Sequence, residues 1–188
     1  MRNKKLRVLV AGSGGQGILT LGRLLAYAAI HRQWSVSCLP TYGAEMRGGY
    51  VYCLIVISGN RGIFSPVSGQ VDIGLFMHER MLRLLRQNVK PEGTLLLNSS
   101  LIQGEQELTF KKLFIPASEM AESLGNLQVA NMVMGGALGC LISQMFLPLE
   151  MADLISGIEQ AVGKKEARET SEKALWAGWR WAEEKWKS

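Results

Sequence analysis

The chain has 188 residues, 47% hydrophobic and 20% charged, with 21 lysines and arginines against 16 acids and a formal net charge of +5. Those proportions are globular, so disorder is not the default, and the length suits a single domain over residues 1–188 that buries roughly 70% of its unfolded surface. Arg2, Lys4, Lys5 and Arg7 crowd the start of the chain, where they read as a solvated lead-in to a first strand rather than a nucleic-acid surface.

The cysteines, Cys38, Cys53 and Cys140, are scattered and show no C-x-x-C spacing. They make no disulfide framework and, from this chain alone, neither a zinc site nor an iron–sulfur cluster. Cys38 and Cys53 fall in apolar strand-like runs, where a thiol behaves as a small hydrophobe. A reducing, cytoplasmic setting fits, and the basic start runs into a strand pattern rather than a signal peptide.

In chain order, Leu6–Ala11 is an apolar run of the kind found in a central parallel strand. It ends in Gly12-Ser13-Gly14-Gly15-Gln16-Gly17, and a helical pattern follows with Ile18, Leu21, Leu25 and Ala28 on one face. Ser35–Leu39 reads as a second strand stopped by Pro40, which makes the segment a β-α-β unit with a right-handed crossover. Thr41–Gly49 is a loop and Tyr50–Ile57 a strand. Gly59-Asn60 offers a tight turn from which Ile63-Phe64 returns antiparallel, so the expected sheet is mixed. Val71–Met77 is a strand, His78–Gln87 a helix and Pro91-Glu92-Gly93 a turn. Thr94–Leu97 and Lys112–Ile115 are short strands, and from Ala117 onward the pattern is helical. The expected fold is a three-layer α/β/α, Rossmann-like domain with a mostly parallel but mixed sheet and a helical C-terminal third.

Val129–Leu149 is nearly uncharged, with Gly135 and Gly139 in GxxxG spacing. Asn131, Ser143, Gln144 and Pro148 interrupt it and no aromatic belt flanks it, so a buried core helix is expected and no membrane span. In the last helical segment Leu175, Trp179, Ala182 and Trp186 share one face, expected to pack on the domain. Trp181 points roughly opposite and is expected to be an outward subunit anchor, or else to be covered by this chain. Arg80, Arg83 and Arg86 read as a solvated helix face.

Gly12, Gly14 and Gly17 satisfy G-x-G-x-x-G between a strand and a helix. Such a turn lets a ligand approach the backbone and points N–H groups at an anion; equally, it serves close helix–strand packing. A dinucleotide site would need an acid at the end of the second strand, around Leu39, Pro40 and Thr41, and none is there. Glu45 comes a few residues late, and Arg47 is the one nearby arginine for a 2′-phosphate. Tyr42-Gly43-Ala44-Glu45-Met46-Arg47-Gly48-Gly49 follows the second strand and is therefore expected at the carboxyl edge of the sheet, beside the glycine turn. There Arg47 can meet a phosphate or carboxylate, or can pair with Glu45 to brace the loop.

These two glycine motifs at this spacing resemble the gamma subunit of the 2-oxoacid:ferredoxin oxidoreductases, the pyruvate, 2-oxoisovalerate and 2-oxoglutarate enzymes. The likeness extends to the Asp72 region, the segment near Gly93, Asn131 with the small-residue helix after it, and a C-terminal helix. The related indolepyruvate enzymes read differently before Arg-Gly-Gly, so Tyr-Gly-Ala-Glu-Met points to the ferredoxin-linked branch. The resemblance implies alpha, beta and ferredoxin-like delta partner subunits. It places thiamine diphosphate and the iron–sulfur clusters on those partners and the coenzyme A side of the site near this chain. Gly12, Ser13, Gly14, Gly15, Gln16, Gly17, Tyr42, Glu45, Arg47, Gly48, Gly49 and Asn131 are the candidate binding residues, with no catalytic residue and no metal ligand. Asn131 either hydrogen-bonds the loops near the glycine turn or is a polar residue at a helix start. No thiamine motif of the Gly-Asp-Gly…Asn kind is present, and His31 and His78 sit in no triad, so the isolated chain is expected to have no turnover. Two other functions compete: a stand-alone NADP- or nucleotide-binding module, and a purely structural subunit.

Overall fold

Among the described residues, six strands form one sheet in the order β2-β3-β1-β4-β5-β6. They are β1 (Lys5–Ser13), β2 (Ser35–Tyr42), β3 (Tyr50–Ser58), β4 (Val71–Phe76), β5 (Val89–Asn98) and β6 (Lys111–Ile115). The helices are α1 (Ile18–His31), α2 (Glu79–Leu85), α3 (Ala117–Ser123), α4 (Ala130–Met145), α5 (Met151–Ala161) and α6 (Lys165–Trp186). The computed structural model describes residues 5–43, 49–59, 69–103, 110–163 and 165–186. The expected return at Ile63-Phe64 lies outside the described residues.

The sheet is mixed, as expected, but for a reason that local pattern does not carry. β3 pairs antiparallel with both β1 and β2, while β1-β4, β4-β5 and β5-β6 are parallel. The β-α-β unit is therefore real in sequence but open in space: β3 is inserted between its two strands. Pro91–Gly93 corrects another expectation. It is not a turn but an irregular stretch within β5, where the register with β4 shifts between Val71/Val89 and Ile73/Thr94. Gly93 allows it, because a Cβ there would lie 2.7 Å from Val89 Cγ1 and 3.0 Å from the Asp72 carbonyl.

The strands bury both faces, as central strands of such a sheet do. Leu6, Val8 and Val10 of β1 face a large core shared with α1, α3, α4, α5 and α6. Leu9 and Ala11 face a smaller one closed by α2 and by Ile102, Phe110 and Phe114. The three layers are unequal: among the described residues, α1, α3, α4, α5 and α6 lie on one face and α2 on the other.

α4 is the centre of the thick layer, buried from Ala130 to Ile142. Leu127–Met145 is long and apolar enough to cross a membrane, but it is a core helix, 78% buried inside the fold. Its closest approach is to α6, at Gly136. A Cβ on Gly136 would lie 1.9 Å from the Leu175 carbonyl oxygen, and one on Gly178 would lie 1.8 Å from that of Val133. Gly135 and Gly139 make room for side chains instead, those of Leu21 and Leu154.

Along α6, Leu175 and Ala182 are fully buried, and Trp179 and Trp186 pack on the same core. Trp181 corrects the anchor expectation: it packs on that core too, and its Nε1 donates to the Phe114 carbonyl at 3.1 Å. α6 lies in the angle between α4 and the β6 edge, so two of its faces are covered and a residue opposite Trp179 is not thereby exposed. The outward tryptophan is Trp176, 37% exposed with the Arg180 guanidinium over its ring.

An ionic cluster around the buried Asp153 joins the end of α1 to the start of α5. Asp153 accepts from His31 Nδ1 at 2.9 Å, Arg32 Nε at 2.6 Å and the Glu150 N–H at 2.8 Å. Arg32 also pairs with Glu150 at 2.6 Å. Burial by itself raises the Asp153 pKa. The Glu150 N–H, Arg32 and His31 together outweigh it and hold the carboxyl below its ordinary value.

Candidate functional site at the carboxyl edge of the sheet

β1, β4, β5 and β6 run parallel, so their carboxyl ends share one edge of the sheet. β3 runs the other way and brings its first residues there, with Tyr50 opposite Ser13. The glycine turn, Met77, Asn98–Ser100 and the start of α3 therefore converge, as crevices in open α/β sheets require.

The turn itself is heavily braced. Gln16 folds back so that its Oε1 accepts the Ser13 N–H at 2.7 Å, and its Nε2 donates to the Met77 carbonyl at 3.1 Å. Gly12 leaves it space: a Cβ there would lie 2.6 Å from Gln16 Oε1. The Gly14 N–H donates to the Gly49 carbonyl at 2.9 Å. Two donors that an anion cradle would present are thus satisfied within the protein. Gly15 is the open part of the turn. Its φ is +87° and no atom lies within 4 Å of where its Cβ would be.

Gly17 caps α1 in the left-handed region, with φ 69°. Asn131, in the first turn of α4, donates from Nδ2 to the Gly17 carbonyl at 3.1 Å and is 5% exposed. It is at once a helix-start residue and a tie to the glycine turn. The two readings that the sequence left open describe one side chain.

Beside Gly15, Gln16 and Asn131 lies a crevice of about 460 Å³. Met77, Leu101, Leu127 and Ala130 supply its apolar wall; Ser100, Ser118 and Gln128 supply uncharged polar groups. Glu119 and Glu122 are the charged residues among its described lining, and both are acidic. Buried Asn98 holds the far side. Its Oδ1 accepts from the Ala117 and Ser100 N–H groups at 3.2 and 3.3 Å, and its Nδ2 donates to Ser118 Oγ at 3.1 Å.

Of the other candidate residues, Gly49 abuts the turn and Tyr42, 62% exposed, ends β2 on the far side of β3. Glu45, Arg47 and Gly48 lie outside the described residues. His78 is a structural cap, its Nδ1 accepting the Arg80 N–H at 3.2 Å. Arg83 of the arginine row pairs with Glu79, and Arg80 lies over the Tyr50 ring. Asp72 braces strands, accepting the Arg7 N–H at 2.8 Å and pairing with Lys90. Sequence reading missed Ser100, Ser118 and Asn98. The available signal was Asn98-Ser99-Ser100, a polar run directly after the apolar strand Thr94–Leu97.

This edge and topology define a class of α/β module that recurs in solved structures. One is the gamma subunit of the keto/oxoacid ferredoxin oxidoreductase of Geobacter sulfurreducens, with TM-score 0.80 and 23% identity, covering 95% of this chain and 99% of that one. Another is the 2-oxoglutarate:ferredoxin oxidoreductase of Magnetococcus marinus, with 2-oxoglutarate, coenzyme A and succinyl-CoA bound. It aligns with TM-score 0.84 and 22% identity over 97% of this chain and 32% of that one. These likenesses establish the fold. The family model for pyruvate ferredoxin/flavodoxin oxidoreductase matches residues 7–181, and the chain belongs to that family. It is also 32% identical to the ketoisovalerate oxidoreductase subunit VorA of Methanothermobacter thermautotrophicus, over 96% of this chain and 37% of that relative's length.

Proposed function

We propose that this chain is the gamma-type subunit of a thiamine-diphosphate-dependent 2-oxoacid:ferredoxin oxidoreductase. The complex would oxidatively decarboxylate a 2-oxoacid and transfer the acyl group to coenzyme A, passing two electrons to ferredoxin. Thiamine diphosphate and iron–sulfur clusters would sit on the alpha, beta and delta partners. This chain would contribute assembly and one wall of the coenzyme A site.

The observation that carries the proposal is the crevice between the glycine turn and α3, in a chain of this family. Its described lining suits the uncharged pantetheine arm: an apolar wall, hydroxyls and amides for the arm's amide groups, and Gly15 for close backbone approach. It does not suit phosphates, because Glu119 and Glu122 would repel them and the Ser13 and Gly14 N–H groups are already bonded. The phosphates would therefore lie beyond this described lining, against a partner subunit. Coenzyme A supplies the thiol that accepts the acyl group; the residues named here bind and orient its arm.

The sheet order weighs against a nucleotide-binding module. A dinucleotide fold sets the second strand beside the first, whereas here β3 intervenes. The end of β2 is thereby two strand spacings, about 9.6 Å, from β1.

Ser118→Trp, which fills the crevice, tests the site in the assembled complex. The KM for coenzyme A is expected to rise at least tenfold with the KM for the 2-oxoacid unchanged. An unchanged KM for coenzyme A in a correctly assembled complex would remove the site from this chain.

A further inference from the structure

A second hollow, of about 320 Å³, opens between α1 and the β2 edge. Two thiols lie at its floor. Cys38 sits opposite Ile55 in the β2-β3 register and Cys53 sits opposite Pro40, so the two are diagonal neighbours on one face of the antiparallel pair. Their sulfurs are 3.1 Å apart. Cys53 is 1% exposed, whereas Cys38 is half-buried and lines the hollow. α1 accommodates both sulfurs with Gly22: a Cβ at that position would lie 2.8 Å from Cys53 Sγ and 3.4 Å from Cys38 Sγ.

We infer that Cys38 and Cys53 form a dithiol site that a hydroperoxide converts to an intrachain disulfide, with Cys38 attacking and Cys53 resolving. Exposure sets the order: both thiols line the hollow, but Cys53 is 1% exposed and Cys38 only half-buried. The groups facing Cys38 favour its thiolate: Cys53 donates to it from β3, and Arg23 of α1 adds positive charge. Tyr27 of α1 and Tyr42 of β2 complete the titratable lining.

In the first step the Cys38 thiolate attacks one peroxide oxygen. The S–O bond forms, the O–O bond breaks, and the departing alkoxide or hydroxide takes a proton from water. In the second step Cys53 sulfur attacks Cys38 sulfur, the S–S bond forms, the S–O bond breaks, and hydroxide leaves with the Cys53 proton as water. Two thiols lose two electrons and one peroxide becomes an alcohol, or water, plus one water. The disulfide joins β2 to β3, the strand that begins at Tyr50 next to the Gly49 whose carbonyl meets the glycine turn.

The full chain, treated with hydrogen peroxide and digested without reductant, decides it by mass spectrometry. The expected result is a 2 Da loss confined to a peptide pair joining Cys38 to Cys53, reversed by dithiothreitol, with Cys140 unmodified. In Cys53→Ser the reaction is expected to stop at a dimedone-trappable sulfenic acid on Cys38. If wild-type Cys38 and Cys53 stay as free thiols, or oxidise to sulfinic acid without joining, the inference is overturned. The wild-type result is sufficient should the variant fail to fold.

Discussion

Asn131 Nδ2 donates to the Gly17 carbonyl at 3.1 Å, and a Cβ on Gly17 would lie 2.2 Å from that same nitrogen. The two residues, 114 positions apart, fasten α4 to the start of α1 and set the inner wall of the crevice. Gly17→Ala combines a left-handed φ, about 1 kcal/mol for a residue with a Cβ, with this clash. It is expected to destabilise by about 2 kcal/mol or more. Asn131→Ala is expected to cost only about 1 kcal/mol, because the Gly17 carbonyl keeps its bond from the Leu21 N–H at 3.0 Å. Urea titration of the two variants checks the difference.

The α4-α6 crossing yields a stronger prediction. Gly136→Ala and Gly178→Ala each press a methyl against a backbone carbonyl of the facing helix, which cannot rotate away. Each is expected to cost about 4 kcal/mol or to prevent folding. Gly163→Ala, with nothing within 4 Å, is the control and should stay within about 0.5 kcal/mol of wild type. Thermal melts of the three variants provide the measurement.

Asp153 contributes stability with a definite pH dependence. Its folded pKa is depressed, so the contribution is complete above the ordinary carboxyl value near 4 and is lost as pH falls through the lower folded value. Wild type should lose stability more steeply than Asp153→Asn below about pH 4. At neutral pH the variant should be weaker by about 2 kcal/mol, the scale of a hydrogen bond to a charged group. Denaturant midpoints at pH 7, 4 and 3 separate the two.

Cys38 should react early. The Cys53 donor lowers its pKa to about 7 against opposing burial, with Arg23 assisting. Its alkylation by iodoacetamide is expected to reach half its limiting rate near pH 7, and Cys53→Ala should move that midpoint up toward the ordinary thiol value near 8.5. A midpoint unchanged in the variant would show that Arg23, not Cys53, sets it.

Much of the site's frame was readable from residue order, because β1, the glycine turn and α1 are neighbours in the chain and each carries a local signature. Gly12–Gly17 after an apolar run and the Ile18–Ala28 stripe needed no long-range knowledge. The insertion of β3 between β1 and β2 did, since the apolar run Tyr50–Ile57 shows a buried strand but not its neighbours. Trp181 failed for the same reason: a helical wheel gives opposite faces but not how many of them the fold covers. Ser118 and Glu122 reach the crevice only because α3 starts at the carboxyl edge, a consequence of the β5-β6 pairing.

The central claim, a subunit of a 2-oxoacid oxidoreductase, is tested most directly by affinity purification of the tagged chain from its native cell. Co-eluting subunits are then identified, and 2-oxoacid-dependent ferredoxin reduction is assayed with and without coenzyme A. The account predicts co-elution with a thiamine-diphosphate-binding subunit and an iron–sulfur subunit, and reduction that requires both the 2-oxoacid and coenzyme A. A chain that elutes alone, in cells expressing those partners, with no 2-oxoacid-dependent electron transfer, would contradict it.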